Sequence, residues 1–277
     1  MKKSLVVVAD LHVGSSTGLC PRSGMALDDG GYYKPSKMQE YLNDCWEHFF
    51  GVYVPLVTMG ADKRILVING DAVDGFHHNT VALATNNIMS QERASASLIK
   101  DVAVNFDETY FVRGTEAHVQ QSAQSDERIA KEVGAIPDSN GDHARWQLWL
   151  DLNGVLFNIA HHLGTTSSAA YESSAPMREM VAGLVESGQW NKQMPDFFIR
   201  SHRHRYIEIS IPSDNDKQIT IMVTPAWQLR TPFVEKIDRM RMPHIGGIVI
   251  NIEDNCECRA HHKVYKLPTQ AIEIVKA

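Results

Sequence analysis

Three short strings of acidic and imidazole side chains lie far apart in the chain, each directly after an apolar run. They are Asp10-Leu-His12, Gly-Asp71-Ala-Val-Asp74-Gly, and His202-Arg-His204. The apolar runs before them, at 5–8, 65–68 and 197–199, predict buried strands. Side chains that leave the ends of neighbouring strands in an α/β sheet converge on one crevice. Oxygen and nitrogen ligands suit borderline divalent cations, so the strings predict a dinuclear site for Mn, Fe, Zn, Co or Ni.

Two further polar strings have the same placement. Arg113-Gly-Thr115-Glu116-Ala-His118 follows a predicted strand at 109–112, and His161-His162 ends one at 155–160. Taken singly, each of the five strings is weak evidence, because Gly-Asp is a common turn and Asp-x-His often forms a hydrogen-bonded loop. Their order, each after a predicted strand, is what indicates a shared site.

In this order, over residues 5–206, the strings resemble those of the calcineurin-like metallophosphoesterases. The resemblance implies a divergent member that hydrolyses phosphate esters by attack of a hydroxide bridging two metal ions. It also implies the ligands: Asp10, His12 and His204 for one ion, Asp71 for both, and His202 with either His161 or His162 for the other, His161 being favoured. Asp74 matches a position that orients a ligating imidazole from behind.

The string after the third strand departs from the family pattern, which is Gly-Asn-His followed by an acid. Thr115 stands where the family has a metal-binding Asn, and Glu116 stands where it has a phosphate-contacting His. Two arrangements stay open. Either Glu116 is a carboxylate ligand and His118 is the catalytic acid beside the phosphate, or His118 itself binds metal. We expect His118 near the phosphate and Glu116 or Thr115 near the second metal.

Other cationic and imidazole side chains are candidates for substrate contact. A guanidinium fork matches phosphate oxygens, which favours Arg113 as a catalytic residue and Arg178 as a binding residue. Arg203 is a weaker candidate, because in an extended segment it points away from the histidines on either side. His77 and His78 follow the second string and are expected to line the substrate entrance.

The predicted secondary structure differs between the first and second halves of the chain. The first half alternates strands at 4–9, 64–69 and 109–112 with helices at 36–50, 87–104 and 126–133, with Ser36 as an N-cap. Later segments alternate apolar and polar residues, with a tight turn at Asn153-Gly154. These later segments are strands at 146–152, 155–160, 196–200, 205–211, 218–224, 245–252 and 258–266, and one helix from Pro176 to Glu186. We expect one α/β domain, residues 1–277, folded as the calcineurin-like four-layer αββα sandwich of two packed mixed β-sheets flanked by helices.

The formal net charge of −6 argues against a partner that is a long polyanion. Small phosphodiesters are therefore the expected substrates, with monoesters left open. A cluster of Lys236, Arg239 and Arg241 keeps a DNA nuclease of the same family as an alternative. A non-catalytic interaction module is the other alternative. It is disfavoured because such members of the family typically lose metal ligands, whereas this chain keeps the full set.

Four cysteines at irregular positions are not the pattern of a disulfide framework, so we expect a reducing, cytoplasmic location. No apolar run is long enough for a membrane span, and none resembles a secretory signal. Cys256-x-Cys258 with His261-His262 lacks the usual spacing of a zinc site, and a hairpin turning at 253–255 explains it better. The oligomeric state stays open.

Overall fold

The computed structural model describes residues 1–77, 80–164, 169–213, 218–237 and 242–268. The β-strands of these ranges are β1 Lys3–Val8, β2 Met25–Ala26, β3 Tyr32–Tyr33, β4 Lys63–Asn69, β5 Glu108–Val112, β6 Ala144–Arg145, β7 Leu148–Leu152, β8 Val155–Ile159, β9 Phe197–Arg200, β10 Ile207–Pro212, β11 Gln218–Val223, β12 Ile245–Ile252 and β13 Cys258–Tyr265. The α-helices are α1 Lys37–His48, α2 Val54–Val57, α3 Ile88–Ala103, α4 Glu116–Val119, α5 Gln124–Val133, α6 Ser174–Trp190 and α7 Pro232–Ile237.

Two mixed sheets carry most of the strands. Sheet one has the order β13-β12-β1-β4-β5-β6, and sheet two has the order β10-β11-β9-β8-β7. In sheet one, β1, β4, β5 and β6 are parallel, while β12 and β13 run antiparallel to their neighbours. In sheet two, β8, β9 and β11 are parallel. The carboxyl ends of β1, β4 and β5 therefore meet at one edge of sheet one, and those of β8 and β9 meet at one edge of sheet two.

The two faces of β1 show how the layers stack. Leu5 and Val7 face sheet two and pack in a core with Phe157, Ile159 and other residues of that sheet. Val6 and Val8 point the other way, into a second core with α1, α3 and α5. Successive side chains of a strand point to opposite faces, so a strand covered on both sides must be apolar throughout. This is why the central strands appear in the sequence as continuous apolar runs.

The outer face of sheet two is covered by α6. Met177 and Met180 of this helix pack on Phe198, Ile219 and Ile221. The layers are thus helix, sheet, sheet, helix, and the four-layer αββα sandwich expected from the sequence is confirmed. None of the described helices is long and apolar enough to cross a membrane.

Several local predictions are confirmed and others need correction. Ser36 caps α1 in a capping box with Gln39, as its position predicts. The helix predicted at Pro176 is longer, running from Ser174 to Trp190, and its N-cap is Ser173. The strand predicted at 146–152 begins only at Leu148, so Trp146 precedes it and is 53% exposed. Its ring lies beside the Arg113 guanidinium.

Candidate metal centre

The two buried aspartates of the centre follow neighbouring parallel strands of sheet one. Asp10 comes two residues after the end of β1, and Asp71 comes two residues after the end of β4. The backbones of the two loops are joined: the Asp10 N–H donates to the Gly70 carbonyl, and the His12 N–H donates to the Asp71 carbonyl, both at 3.0 Å. Both carboxylates are fully buried. The strand pairing therefore continues into the loops and fixes the two acids side by side.

Sheet two contributes imidazoles from the same kind of position. His161 follows β8, and His202 and His204 follow β9. The Ser201 N–H donates to the His161 carbonyl at 2.9 Å, which keeps these two segments together. The His202 N–H donates to Asp10 Oδ2 at 3.2 Å and so joins the loops of the two sheets. The centre is formed where the carboxyl ends of both sets of parallel strands meet.

Most of these residues have an unusual backbone conformation. Five of the predicted ligands have a left-handed backbone with φ between 46° and 70°: Asp10, His12, Asp71, His202 and His204. A non-glycine residue in this region costs free energy, on the order of 1 kcal/mol or more, and such residues cluster at functional sites. The sharp turns aim each side chain back across the end of its strand toward the others.

The first group consists of Asp10, His12 and His204. His204 Nε2 lies 3.2 Å from Asp10 Oδ1 and 3.3 Å from His12 Nε2, and His12 Nε2 lies 3.8 Å from Asp10 Oδ1. Two ligands bonded to one cation at about 2.1 Å are themselves roughly 3.0–3.4 Å apart in octahedral or tetrahedral geometry. The donor atoms of this group are thus close to the spacing that a single cation requires.

The second group consists of Asp71, His161 and His202, whose candidate ligand atoms all lie within 4.8 Å of one another. Asp71 Oδ2 and His161 Nε2 are 3.0 Å apart. Asp10 Oδ1 of the first group is 3.9 Å from His161 Nε2, so the two groups are adjacent. Two adjacent groups of this kind are the arrangement that a dinuclear centre needs.

Three buried polar atoms that form no hydrogen bond support the same conclusion. Asp10 Oδ1, Asp71 Oδ2 and His161 Nε2 are inaccessible to solvent and form no hydrogen bond with any described residue. An unsatisfied buried polar group is costly unless something else satisfies it. The three atoms lie together, since His161 Nε2 is 3.0 Å from Asp71 Oδ2 and 3.9 Å from Asp10 Oδ1. Their donor chemistry, carboxylate oxygen and imidazole nitrogen, fits a borderline divalent cation.

The ionisation of the centre also favours cations. Burial disfavours the charged imidazole of His12, but its contacts with Asp10 and Asp74 outweigh this and raise its pKa to about 10. The Asp71 carboxylate likewise overcomes burial and raises the pKa of His161 to about 9. Despite burial, the neighbouring imidazoles hold the pKa values of Asp10 and Asp71 well below the ordinary range. Positive charge is therefore favoured between these acids, and divalent cations supply it.

Asp74 lies behind the first group, as its position in the sequence predicts. Its Oδ1 is 2.9 Å from His12 Nδ1 and accepts a hydrogen bond from Gln228 Nε2 at 3.2 Å. Because the carboxylate accepts the Nδ1 proton of His12, the Nε2 lone pair of that ring faces the group. Asp74 is buried and does not itself belong to either of the two groups described above.

His118 lies beside both His12 and Asp74, and His77 lies beside Asp74. The candidate ligand atoms of His12, Asp74 and His118 lie within 4.8 Å of one another. The His118 ring is 4.5 Å from the His12 ring and 4.2 Å from the His77 ring, centroid to centroid. His118 Nδ1 is 2.9 Å from the carbonyl oxygen of Asp74, which can only accept, so Nδ1 carries a proton and Nε2 is the free end. Burial, followed by the nearby His12, lowers the pKa of His118 to about 4. The residue is thus a neutral imidazole at the edge of the centre.

The altered string after β5 is rebuilt around Thr115. Its backbone N–H donates to Asp71 Oδ1 at 2.7 Å, and its hydroxyl is 3.2 Å from His202 Nδ1. Glu116 does not reach either group: its side chain is exposed, and its Oε1 accepts from the Ser122 N–H at 3.4 Å. Glu116 begins the short helix α4, which turns its side chain outward. The expectation that Glu116 binds metal therefore needs correction.

Arg113 is also absent from the centre. Its guanidinium donates to the carbonyls of Ala144 and Ser122 at 2.7 and 3.0 Å and forms ion pairs with Glu127 and Asp142 at 3.5 and 3.3 Å. These partners belong to β6, α5 and their connections, so Arg113 holds secondary structure together. A fork that is already engaged in this way does not contact phosphate, and the catalytic role expected for Arg113 is corrected.

The remaining predicted residues are placed as follows. His161 is buried in the second group while His162 is exposed, which favours His161, and its role as a ligand stays a prediction. Arg178 is exposed on α6, and its role in substrate binding stays a prediction. His78, Arg239 and Arg241 lie outside the described residues, and Lys236 is exposed in α7. Cys256 and Cys258 lie in the turn and at the start of the β12–β13 hairpin.

Sequence reasoning missed three buried polar residues around the centre. Asn69 donates to the Ser201 hydroxyl at 2.7 Å and to the Ala160 carbonyl at 3.1 Å, linking the ends of β4, β8 and β9. Gln228 supports Asp74, and Asp126 in α5 accepts a hydrogen bond from the Gly114 N–H. Asn69 directly precedes the second string, so its position could have indicated that it supports the centre. Nothing in the local sequence marks the other two.

No family model and no curated protein matches the chain. Among solved structures it is similar to the Vps29 protein of Entamoeba histolytica, solved with zinc, at 9% identity and TM-score 0.38, covering 94% of this chain and 98% of that one. It is similar to a predicted phosphoesterase of Streptococcus pneumoniae at 8% identity and TM-score 0.36, covering 95% and 99%. It is also similar to a metallophosphoesterase of Sphaerobacter thermophilus at 10% identity and TM-score 0.38, covering 95% and 89%. These names agree with the resemblance of the motifs, but at such TM-scores they add no argument to it.

Proposed function

We propose that this chain is a metal-dependent phosphoesterase with two divalent ions, and that it hydrolyses small phosphodiesters. The observation that carries the proposal is the pair of adjacent buried groups, Asp10/His12/His204 and Asp71/His161/His202, with donor atoms at ligand spacing. Two adjacent groups of carboxylate and imidazole donors are the arrangement that a two-metal hydrolytic site needs.

The first group would hold one ion and the second group the other, and Asp71 is proposed to contact both. When bound, two divalent ions supply a Lewis acid for phosphate oxygens and activate water for attack at phosphorus. Asp74 and the Asn69 carbonyl hold the Nδ1 protons of His12 and His161, so that both rings present Nε2. The proposal specifies the class of the ions, which comprises Mn, Fe, Zn, Co and Ni, and not one metal within it.

His118 is proposed to contact the phosphate and to protonate the leaving oxygen through Nε2. Its position beside His12 supports this role, since Nδ1 is fixed by the Asp74 carbonyl and Nε2 is the free end. The low pKa of His118 means that it is neutral without substrate. A bound phosphate anion raises the pKa of His118 and so favours the imidazolium, which carries a proton on Nε2 beside the leaving oxygen. His77, in contact with His118, is proposed to line the same side of the substrate site.

We propose small substrates because the net negative charge of the chain disfavours the binding of long polyanions. Net charge is −6, and non-specific affinity for nucleic acid depends on many Lys and Arg contacts with phosphates. We also propose a cytoplasmic location, which is supported by the four free cysteines.

The experiment is turnover of a generic aryl phosphodiester by metal-free protein to which Mn²⁺ is added, with the metal content measured in parallel. We expect two ions per chain and metal-dependent hydrolysis. Asp71→Asn should lower both the metal content and the turnover by orders of magnitude, because this carboxylate is proposed to bind both ions. Duplex DNA at physiological salt serves as the comparison substrate and should be cut weakly or not at all.

Three results would contradict the proposal. Asp71→Asn with two ions and near-normal turnover would end the dinuclear assignment. Metal binding without hydrolysis of any ester would favour a non-catalytic module. Efficient cutting of duplex DNA would favour the nuclease.

A further inference from the structure

Asp126 is a fully buried carboxylate that belongs to neither metal group. It lies in the first turn of α5. Its Oδ2 accepts a hydrogen bond from the Gly114 N–H at 2.7 Å, while Oδ1 forms no hydrogen bond with any described residue. A buried acid with a single direct partner is costly, and an apolar residue of similar size would be cheaper for stability. Its presence therefore calls for a role other than stabilising the fold.

The position of its partner suggests that role. Gly114 precedes Thr115, whose N–H donates to Asp71 Oδ1 at 2.7 Å. Two consecutive backbone N–H groups thus bind two different carboxylates, Asp126 on one side and Asp71 on the other. A Cβ at residue 114 would overlap the Asp71 carboxylate, so the backbone approaches Asp71 as closely as only glycine permits. The turn is held between the two acids.

The geometry also determines which oxygen of Asp71 remains available. Thr115 occupies Oδ1, and Oδ2 is the oxygen that lies 3.0 Å from His161 Nε2 and lacks a hydrogen bond. The helix that carries Asp126 is itself fixed, because the neighbouring Glu127 accepts from the N–H groups of His143 and Ala144 at 2.9 and 2.8 Å. Asp126 is therefore a rigid anchor for the turn.

We propose that Asp126 is a positioning residue for Asp71: it holds the Gly114-Thr115 turn so that Asp71 presents Oδ2 to the second metal group. The proposal rests on the proposed function only in that this group binds an ion. Burial raises the pKa of Asp126 to about 7, with the Gly114 amide acting in the opposite direction and the nearby Asp71 carboxylate adding to the rise, as expected for an enclosed acid held by a backbone amide.

The test compares Asp126→Leu with Asp126→Asn. Leucine keeps the volume and removes the acceptor, whereas asparagine keeps one acceptor oxygen for Gly114. Two readouts need no phosphoesterase activity: calorimetric titration with Mn²⁺, and hydrogen exchange of the Thr115 amide. Asp196→Leu is the matched control, because its carboxylate also accepts a backbone N–H, that of Leu156 at 2.8 Å, but before β9 at the far end from His202.

We expect Asp126→Leu to remain folded, to lose at least about tenfold in affinity for the weaker of the two Mn²⁺ ions, and to lose protection at Thr115. Asp126→Asn should stay within about threefold of the parent protein in that affinity, because the Gly114 N–H keeps an acceptor. Asp196→Leu should change neither readout.

Unchanged Mn²⁺ affinity and Thr115 protection in a folded Asp126→Leu protein would overturn the proposal. If that variant does not fold, Asp126→Asn decides: retained affinity supports the proposal, and a tenfold loss with full Thr115 protection overturns it. A parent protein that binds no Mn²⁺ would be a failure of the proposed function, and the Thr115 amide still reports on the proposal in that case.

Discussion

Each of the expected ligand histidines His12 and His161 has one ring nitrogen that faces the centre and another that is held from behind. His12 Nδ1 is held by Asp74, and His161 Nδ1 lies 2.6 Å from the Asn69 carbonyl. A carbonyl only accepts, so in the neutral ring the proton sits on Nδ1 and the lone pair on Nε2. His162, one residue on, is exposed and has no such anchor among the described contacts. Adjacent histidines therefore have different expected roles.

A set of three alanine substitutions separates these roles. His161→Ala should lose an ion of the second group together with turnover. His118→Ala should keep two ions per chain and lose turnover, by about 100-fold, which is typical of general acid–base catalysis. His162→Ala should change neither quantity and is the matched control for its neighbour. Metal content and aryl phosphodiester turnover, measured on the same samples, check all three.

Other results would assign the histidines differently. Loss of one ion in His118→Ala would make that residue a ligand, the arrangement left open by the sequence. Loss of an ion in His162→Ala would mean that the pair acts together.

The sequence motifs correctly predicted which side chains meet in the first group. They did not predict the direction of the side chains in the string after β5. Asp10, His12 and His204 lie in motifs whose spacing fixes which side chains leave each strand end. Glu116 was assigned by position alone, but its place at the start of α4 turns it outward. Asp126 could not be assigned at all, because its contact with Gly114 depends on how α5 packs, which no local spacing encodes.

Among the elements, the strands were predictable and the connections were not. A strand buried on both faces must be apolar, so β1, β4 and β12 are visible as runs in the sequence. The loops that follow have no such requirement, because their conformation is set by a few backbone hydrogen bonds across strand ends. Arg113 shows the consequence: it follows β5 directly, but the pleat sends it toward β6 and α5.

The turn after β5 offers a test at this scale. Gly114→Ala places a methyl group against the Asp71 carboxylate and backbone nitrogen, so the turn or the acid must move. We expect at least about a tenfold fall in turnover with a reduced metal content, in line with the loss of a ligand-supporting contact. Gly188→Ala is the control, since a Cβ there meets open space in α6 and should add roughly 0.5–1 kcal/mol of stability. Parent-like turnover and metal content in Gly114→Ala would show that the turn does not support Asp71.

For the whole molecule, the centre joins the two sheets at their edge. Sheet one supplies both aspartates and His12, and sheet two supplies the other three histidines. Five of these six residues have a left-handed backbone, and two carboxylates are buried close together. Without cations, the fold must bear both the backbone strain and the unsatisfied carboxylate oxygens. Metal binding should therefore stabilise the packing of one sheet against the other.

Removal of metal should therefore lower the melting temperature of the whole chain. At a hundredfold excess over Kd each ion adds about 2.7 kcal/mol, and for a chain of this size each kcal/mol corresponds to roughly 2–4 °C, so chelation should cost at least about 10 °C. The measurement is thermal unfolding followed by circular dichroism, with Mn²⁺ and then with excess chelator. Asp71→Asn controls for direct effects of the chelator, because it should respond less than half as much. Equal shifts in the two proteins, or none in the parent, would mean that the sheets are held together independently of the ions.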